Sequence, residues 1–143
     1  MRFMMIVKAS QDSEAGRLPS SEELGEMGRY NEELVKAGIL LAGEGLHPSA
    51  KGARVTFSAK GATVTDGPFT ETKELVAGFW IIEVKSREEA IAWARRLPFK
   101  DGQVEVRQVF SVEDFAPSDP TGEHRAKEEA LRAQSEAQAK AKA

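Results

Sequence analysis

The chain has 143 residues, with 41% hydrophobic and 30% charged side chains, no cysteine and a formal net charge of −3. That balance is ordinary for one soluble globular domain and excludes disulfide scaffolds, thiolate nucleophiles and thiolate-bound metals. It carries no basic excess of the kind that reads phosphates, so no nucleic-acid partner is expected. Met1 to Ala9 is apolar but short and interrupted by Arg2 and Lys8, unlike a signal peptide, and no run approaches the roughly 20 residues of a membrane span. A cytoplasmic protein without a membrane partner is the resulting expectation.

In chain order, Phe3 to Val7 reads as a first, central strand, followed by a polar loop from Ser10 to Pro19. Ser20 stands three residues before Glu23, in capping-box spacing, and Leu24, Met27, Asn31, Leu34 and Val35 recur at helical period until Gly38 ends the helix. Tyr30 falls about one residue off that stripe. Ile39 to Ala42 reads as a second strand that breaks at Gly43-Glu44-Gly45-Leu46-His47-Pro48, where a bend or bulge is expected. Arg54 to Thr65 alternates as a hairpin about Lys60-Gly61, and Asp66-Gly67-Pro68-Phe69 interrupts it with turn formers and a residue lacking an N–H. Gly78 to Val84 is a further strand. Ser86 and Glu89 open a second helix with Ala90, Trp93, Ala94 and Leu97 on one face, closed by Pro98, and Val104 to Phe110 is the last strand.

Apart from the inserted hairpin the order is β-α-β-β-α-β, the ferredoxin-like α+β pattern with both helices on one sheet face. The strands at Phe3 and Gly78 are apolar on both sides, whereas a sheet with one wet face would alternate. A second subunit packed sheet to sheet, giving a homodimer with a barrel-like interior, follows from that. Beyond Ala116 the composition changes: residues 1–117 read as the domain, and 118–143 as a charged, Ala-rich tail, helical or disordered, whose only large aliphatic residue is Leu131.

The densest cluster of polar chemistry is Asp66-Gly67-Pro68-Phe69-Thr70-Glu71-Thr72-Lys73-Glu74. Asp66 and Glu71 are candidate acid or base groups, and Lys73 and Arg54 are candidate contacts for an anionic substrate. The same letters also describe a surface turn with a solvated exit. His47 is the one histidine before the tail and, in reach of a carboxylate such as Asp66, would serve as a general base. Tyr30 and Trp80 are candidate pocket residues or core. Two distant histidines with no cysteine match no metal-ligand spacing, and no phosphate-loop or dinucleotide fingerprint is present, so neither a metal nor another cofactor is expected.

The stretch from Asp66 to Glu74, followed by Gly78-Phe79-Trp80-Ile81-Ile82-Glu83-Val84 and preceded by Gly43-Glu44-Gly45-Leu46, resembles the YCII-related (DGPF-motif) family over roughly Met1 to Pro117. The resemblance implies a dimeric α+β barrel and an enzymatic role resting on a paired His and Asp in other branches. Of that pair only Asp66 transfers, since Ser20, Ser21 and Glu22 stand where those branches carry the histidine. Two functions follow as expectations: a small enzyme acting on a compact, anionic metabolite with Asp66 as acid or base, or a non-catalytic small-molecule-binding or transcription-associated regulatory module.

Overall fold

The first strand, β1 (Arg2–Lys8), lies at the centre of a four-stranded antiparallel sheet, as its apolar run anticipates. The computed structural model describes residues 1–142. In chain order β1 is followed by a one-turn helix α1 (Gln11–Glu14), helix α2 (Ser21–Lys36), strand β2 (Leu40–Gly45), the hairpin β3 (Ala53–Ser58) and β4 (Gly61–Asp66), strand β5 (Val76–Glu83), helix α3 (Arg87–Arg95) and strand β6 (Val104–Gln108). The sheet order is β2-β5-β1-β6, with β3 and β4 forming a separate two-stranded ladder. This is the α+β ferredoxin-like arrangement with an inserted hairpin.

Local chemistry explains where these elements start. The Ser20 side chain accepts the Glu23 N–H at 3.1 Å and the Ser86 side chain accepts the Glu89 N–H at 3.1 Å, each satisfying one of the amides a helix start leaves free. The polar loop after β1 holds one feature absent from the sequence expectation: Ser10 and Ser13 cap each other across α1. The second strand also runs on through Gly43 and Gly45 instead of breaking there, with its bulge at Leu41, between Leu40 and Ala42. A Cβ at Gly43 would stand 2.8 Å from Trp80 Cδ1, so the glycine lets the strand pass against the indole ring.

The core forms between the sheet and helices α2 and α3. Phe3, Met5, Trp80, Ile82 and Val84 from the strands meet Tyr30, Leu34, Ala90 and Leu97, and each fully buried aliphatic contributes on the order of 1.5–3 kcal/mol. The α2 stripe is rotated from the expected one: Met27, Tyr30 and Leu34 face inward, while Leu24 and Val35 are exposed. Spacing of i, i+3 and i+7 places Tyr30 on that face. On the other sheet face Met4, Ile6, Phe79 and Ile81 are half-buried.

A second compact unit begins at Phe110. It comprises a 3-10 run (Val112–Ser118) capped by Ser111 and helix α4 (Glu123–Lys142), with no buried residue in either. The Phe110 and Phe115 rings lie 4.8 Å apart. Asp119 accepts the His124 and Arg125 N–H groups at 3.1 and 2.9 Å, which, chiefly through the Arg125 bond, holds its carboxyl below the ordinary range. Along this helix Glu128 and Arg132 pair at 3.1 Å, beside Arg125–Glu129 at 3.9 Å. Among the described residues no helix is long and apolar enough to cross a membrane.

Tyr30 gives the core a pH signature. Its hydroxyl donates to the Trp93 carbonyl at 2.8 Å, and burial, opposed by Arg96 and aided by Glu33, pushes its pKa up from 10.0 to about 12. A raised folded pKa means that stability from this group is complete below pH 10 and is lost as the pH rises from there through about 12. Tyr30→Phe is expected to cost about 0.5–1.5 kcal/mol in denaturant melts at neutral pH, because the Trp93 carbonyl keeps the Arg96 N–H at 3.1 Å. As the chain has one tyrosine, an ultraviolet alkaline titration reads this group alone and is expected to show a late transition.

Candidate functional site

The turn between β4 and β5 is folded back onto the segment that follows β2, and a single serine holds the two together. Ser49 opens a 3-10 turn, Ser49–Lys51, after Pro48. Its N–H donates to Glu14 Oε2 at 2.9 Å and its hydroxyl donates to Glu14 Oε1, while the hydroxyl oxygen accepts the Phe69 N–H at 3.0 Å. The Ser49 hydroxyl and N–H hold the Glu14 carboxyl below its ordinary 4.5, more strongly than desolvation raises it. Glu14 is thus fixed as the carboxylate, with both oxygens occupied.

Gly67 makes this junction sterically possible. A Cβ there would lie 1.8 Å from the Ser49 carbonyl oxygen, a backbone atom with little room to move. The Gly67 N–H donates to the Gly52 carbonyl at 3.0 Å, and the Gly67-Pro68 peptide is cis. One residue further, the Phe69 ring lies under the Arg54 guanidinium, whose carbon is 3.8 Å from the ring centroid. That contact fixes the arginine head at modest cost in hydration.

Around the junction lies a cleft of about 410 Å³ lined by Leu46, His47, Lys51, Arg54, Phe69 and Val76, with Glu14 and Ser49 in its wall. Leu46, Phe69 and Val76 supply apolar surface, and Lys51, Arg54 and His47 supply cationic or protonatable groups. The arrangement suits a small organic anion, held by an apolar body and a few polar contacts.

The structure separates the residues singled out from sequence. His47 and Arg54 line the cleft together. Asp66 does not join them: it pairs with Ala53 in the hairpin ladder, one position out of phase with Arg54 and Thr65, so the pleat sends it to the opposite face. Asp66 is exposed and makes no side-chain hydrogen bond among the described residues. Glu71 and Lys73 are exposed around the 3-10 turn Thr72–Glu74 and do not line this cleft. Tyr30 and Trp80 belong to the core and not to the cleft, their polar atoms occupied by the Trp93 carbonyl and by Asn31 Oδ1 at 2.9 Å.

Sequence reasoning missed Glu14, Ser49, Lys51 and Phe69. Phe69 was inside the recognised motif, but a ring under an arginine 15 positions away leaves no periodic signal, and Glu14 meets Ser49 across 35 positions. Among the described residues no group of three or more histidines, aspartates or glutamates is placed to hold a metal ion.

Residues 1–116 match the YCII-related domain. The chain belongs to the YCII-related family. An uncharacterised protein of Rhizobium meliloti (strain 1021) is 41% identical to the YCII-related chain over 76 residues, 51% of this chain and 61% of that relative, so the chain spans about three fifths of the relative's length. The solved structure of the 5-chloro-2-hydroxyhydroquinone dehydrochlorinase TftG of Burkholderia phenoliruptrix AC1100, in complex with 2,5-dihydroxybenzoquinone, is similar with a TM-score of 0.45 and 19% identity. That similarity covers 80% of this chain and 98% of that one.

The junction sets a stability expectation for the YCII-related domain. Gly67→Ala forces a methyl group into the Ser49 backbone and is expected to cost about 1–3 kcal/mol, as overpacking does. Gly45→Ala, with nothing within 4 Å of the added Cβ, is expected to change little. Thermal and denaturant melts of the two variants side by side check this.

Proposed function

We propose that the YCII-related domain is a small enzyme that binds a compact organic anion, of the carboxylate or phenolate type, in the cleft beside the Ser49 junction. The observation that carries this reading is the Arg54 guanidinium stacked on Phe69 at the edge of a concavity that also presents His47 and Lys51. Arg54 and Lys51 hold the negative group, Leu46 and Val76 take the apolar body, and His47 transfers a proton to or from the bound molecule. Histidine suits that role because it exchanges protons near neutral pH. Glu14 competes little with the substrate for these cations because both its oxygens are taken by Ser49. Asp66, on the far face of the hairpin, has no part in this chemistry, and neither a metal nor another cofactor is needed for it.

A homodimer belongs to the same proposal. The half-buried row of Met4, Ile6, Phe79 and Ile81 on the helix-free sheet face supports a second copy packed sheet to sheet. A cytoplasmic setting fits that picture.

A thermal-shift panel of small carboxylates and phenols, paired with their neutral amides and ethers, tests the reading, since a ligand that binds only the folded state raises the melting temperature. The anions are expected to stabilise and their neutral partners not. Arg54→Gln is expected to weaken the best anion about 10- to 100-fold, the worth of a charged hydrogen bond. His47→Gln is expected to keep binding while turnover of that compound falls about 100-fold or more. Equal stabilisation by neutral partners, or an Arg54→Gln variant that binds as the parent does, would refute the anion site. Binding without turnover in the parent would make the domain a binding module.

A further inference from the structure

A second cleft, of about 530 Å³, lies between helix α3 and strand β6, and it gathers three cations, Arg87, Arg95 and Lys100. Elsewhere in the domain four cations have counter-charges: Lys8 and Arg107 meet Glu105, Arg17 meets Asp12 and Glu23, and Arg96 meets Glu33. Arg87, Arg95 and Lys100 make no ion pair or side-chain hydrogen bond among the described residues, yet all three line this one concavity. In a chain of net charge −3, the lining of this cleft holds three cations against one carboxylate, Asp101.

The placement of these cations defines a ligand. Arg87 opens α3 and Arg95 closes it, so their backbones stand roughly 12 Å apart along the helix axis. Lys100 follows Arg95 by five residues in the loop after α3 and lines the same cleft. Between the two ends the floor is apolar, made by Ile91 and Leu97 with Val104 and Val106 of β6. Leu97 is buried and the two valines are half-buried, so the floor belongs to the packed body of the domain. The loop beyond Lys100 is pinned where the Lys8 N–H donates to the Gln103 carbonyl at 3.0 Å, and Gly102 turns it with φ of 90°. Asp101, also in the lining, places one negative charge at the lysine end.

We infer that this cleft binds an elongated organic dianion: two acidic groups, one at Arg87 and one at Arg95 and Lys100, separated by a flat apolar body lying on the Val104–Val106 floor. Neither a single inorganic anion nor a monoacid satisfies both ends, whereas a rigid diacid engages both at once and gains from the linkage. The cleft is distinct from the one beside Ser49 and shares no residue with it.

The test uses the full chain, 2,6-naphthalenedicarboxylate as the probe and 2-naphthoate as its one-acid counterpart, with fluorescence titration and amide chemical-shift mapping. The diacid is expected to bind at least tenfold more tightly than the monoacid and to perturb the amides of Ala94, Gly102, Gln103 and Val104. Arg87→Gln should erase the difference between the two probes, and Asp101→Asn should tighten both. These residues are exposed, so the variants are expected to melt as the parent does, and His47→Gln should leave the probe affinity unchanged. Equal affinity for the two probes, an Arg87→Gln variant that still prefers the diacid, or shifts confined to the residues around His47 and Arg54 would each overturn the inference. The last outcome would leave the proposed anion site standing.

Discussion

The contact of Gly67 with the Ser49 backbone is the constraint on which the rest of the site depends. Three chain segments distant in sequence meet there: the one-turn helix after β1, the exit of β2 and the turn after the hairpin. A side chain at position 67 would collide with a carbonyl oxygen, and without the close approach the Phe69 N–H would not reach the Ser49 hydroxyl. Phe69 would then no longer lie under Arg54, and the cleft would lose its wall and its principal cation together. The cost of fixing these loops is met by hydrogen bonds to an ionised carboxylate, which are stronger than neutral ones. Because Glu14 is held below its ordinary 4.5, this contribution is complete above that value and is lost as the pH falls through the lower folded value.

The sheet positions the junction through packing of a similar kind. Gly43 and Gly78 allow strand β2 to lie against β5 with the Trp80 ring between the strand and the helices, since a Cβ at Gly43 would strike the ring and one at Gly78 would stand 2.9 Å from the Glu44 carbonyl oxygen. Trp80 is in edge contact with Tyr30, ring centroids 5.7 Å apart, and its indole N–H is held by Asn31. The exit of β2, which carries Leu46, His47 and Ser49, is thereby tied to the core. Glycine at these positions is a requirement of close approach, not of turn conformation.

Much of the fold was legible because each element carried its own local signal. The serine caps at Ser20 and Ser86, the double-sided apolar strands at Phe3 and Gly78 and the alternation through Val55 and Val64 are readable within a few residues. Errors arose where a residue had two physical uses. Gly43-x-Gly45 was read as a breaker, although its glycines serve strand-to-ring contact, and Tyr30 was read as marginal to its stripe although i, i+3 and i+7 spacing buries it. The site was legible only in part, since His47 and Arg54 announce themselves by charge and position, whereas Ser49 and Glu14 are ordinary loop residues whose importance comes from meeting each other. Asp66 drew attention as the first letter of the motif, yet the pleat of the hairpin turns it away from the cleft.

Amide hydrogen exchange at Phe69 tests the Ser49 junction most directly. In the parent protein the Phe69 N–H is bonded to the Ser49 hydroxyl and is predicted to be protected, while in Ser49→Ala the same amide is predicted to exchange at close to the open-chain rate with the β1 and β5 amides still protected. A Phe69 amide that exchanges freely in the parent, or one equally protected in Ser49→Ala, would contradict the junction as the constraint that builds the cleft.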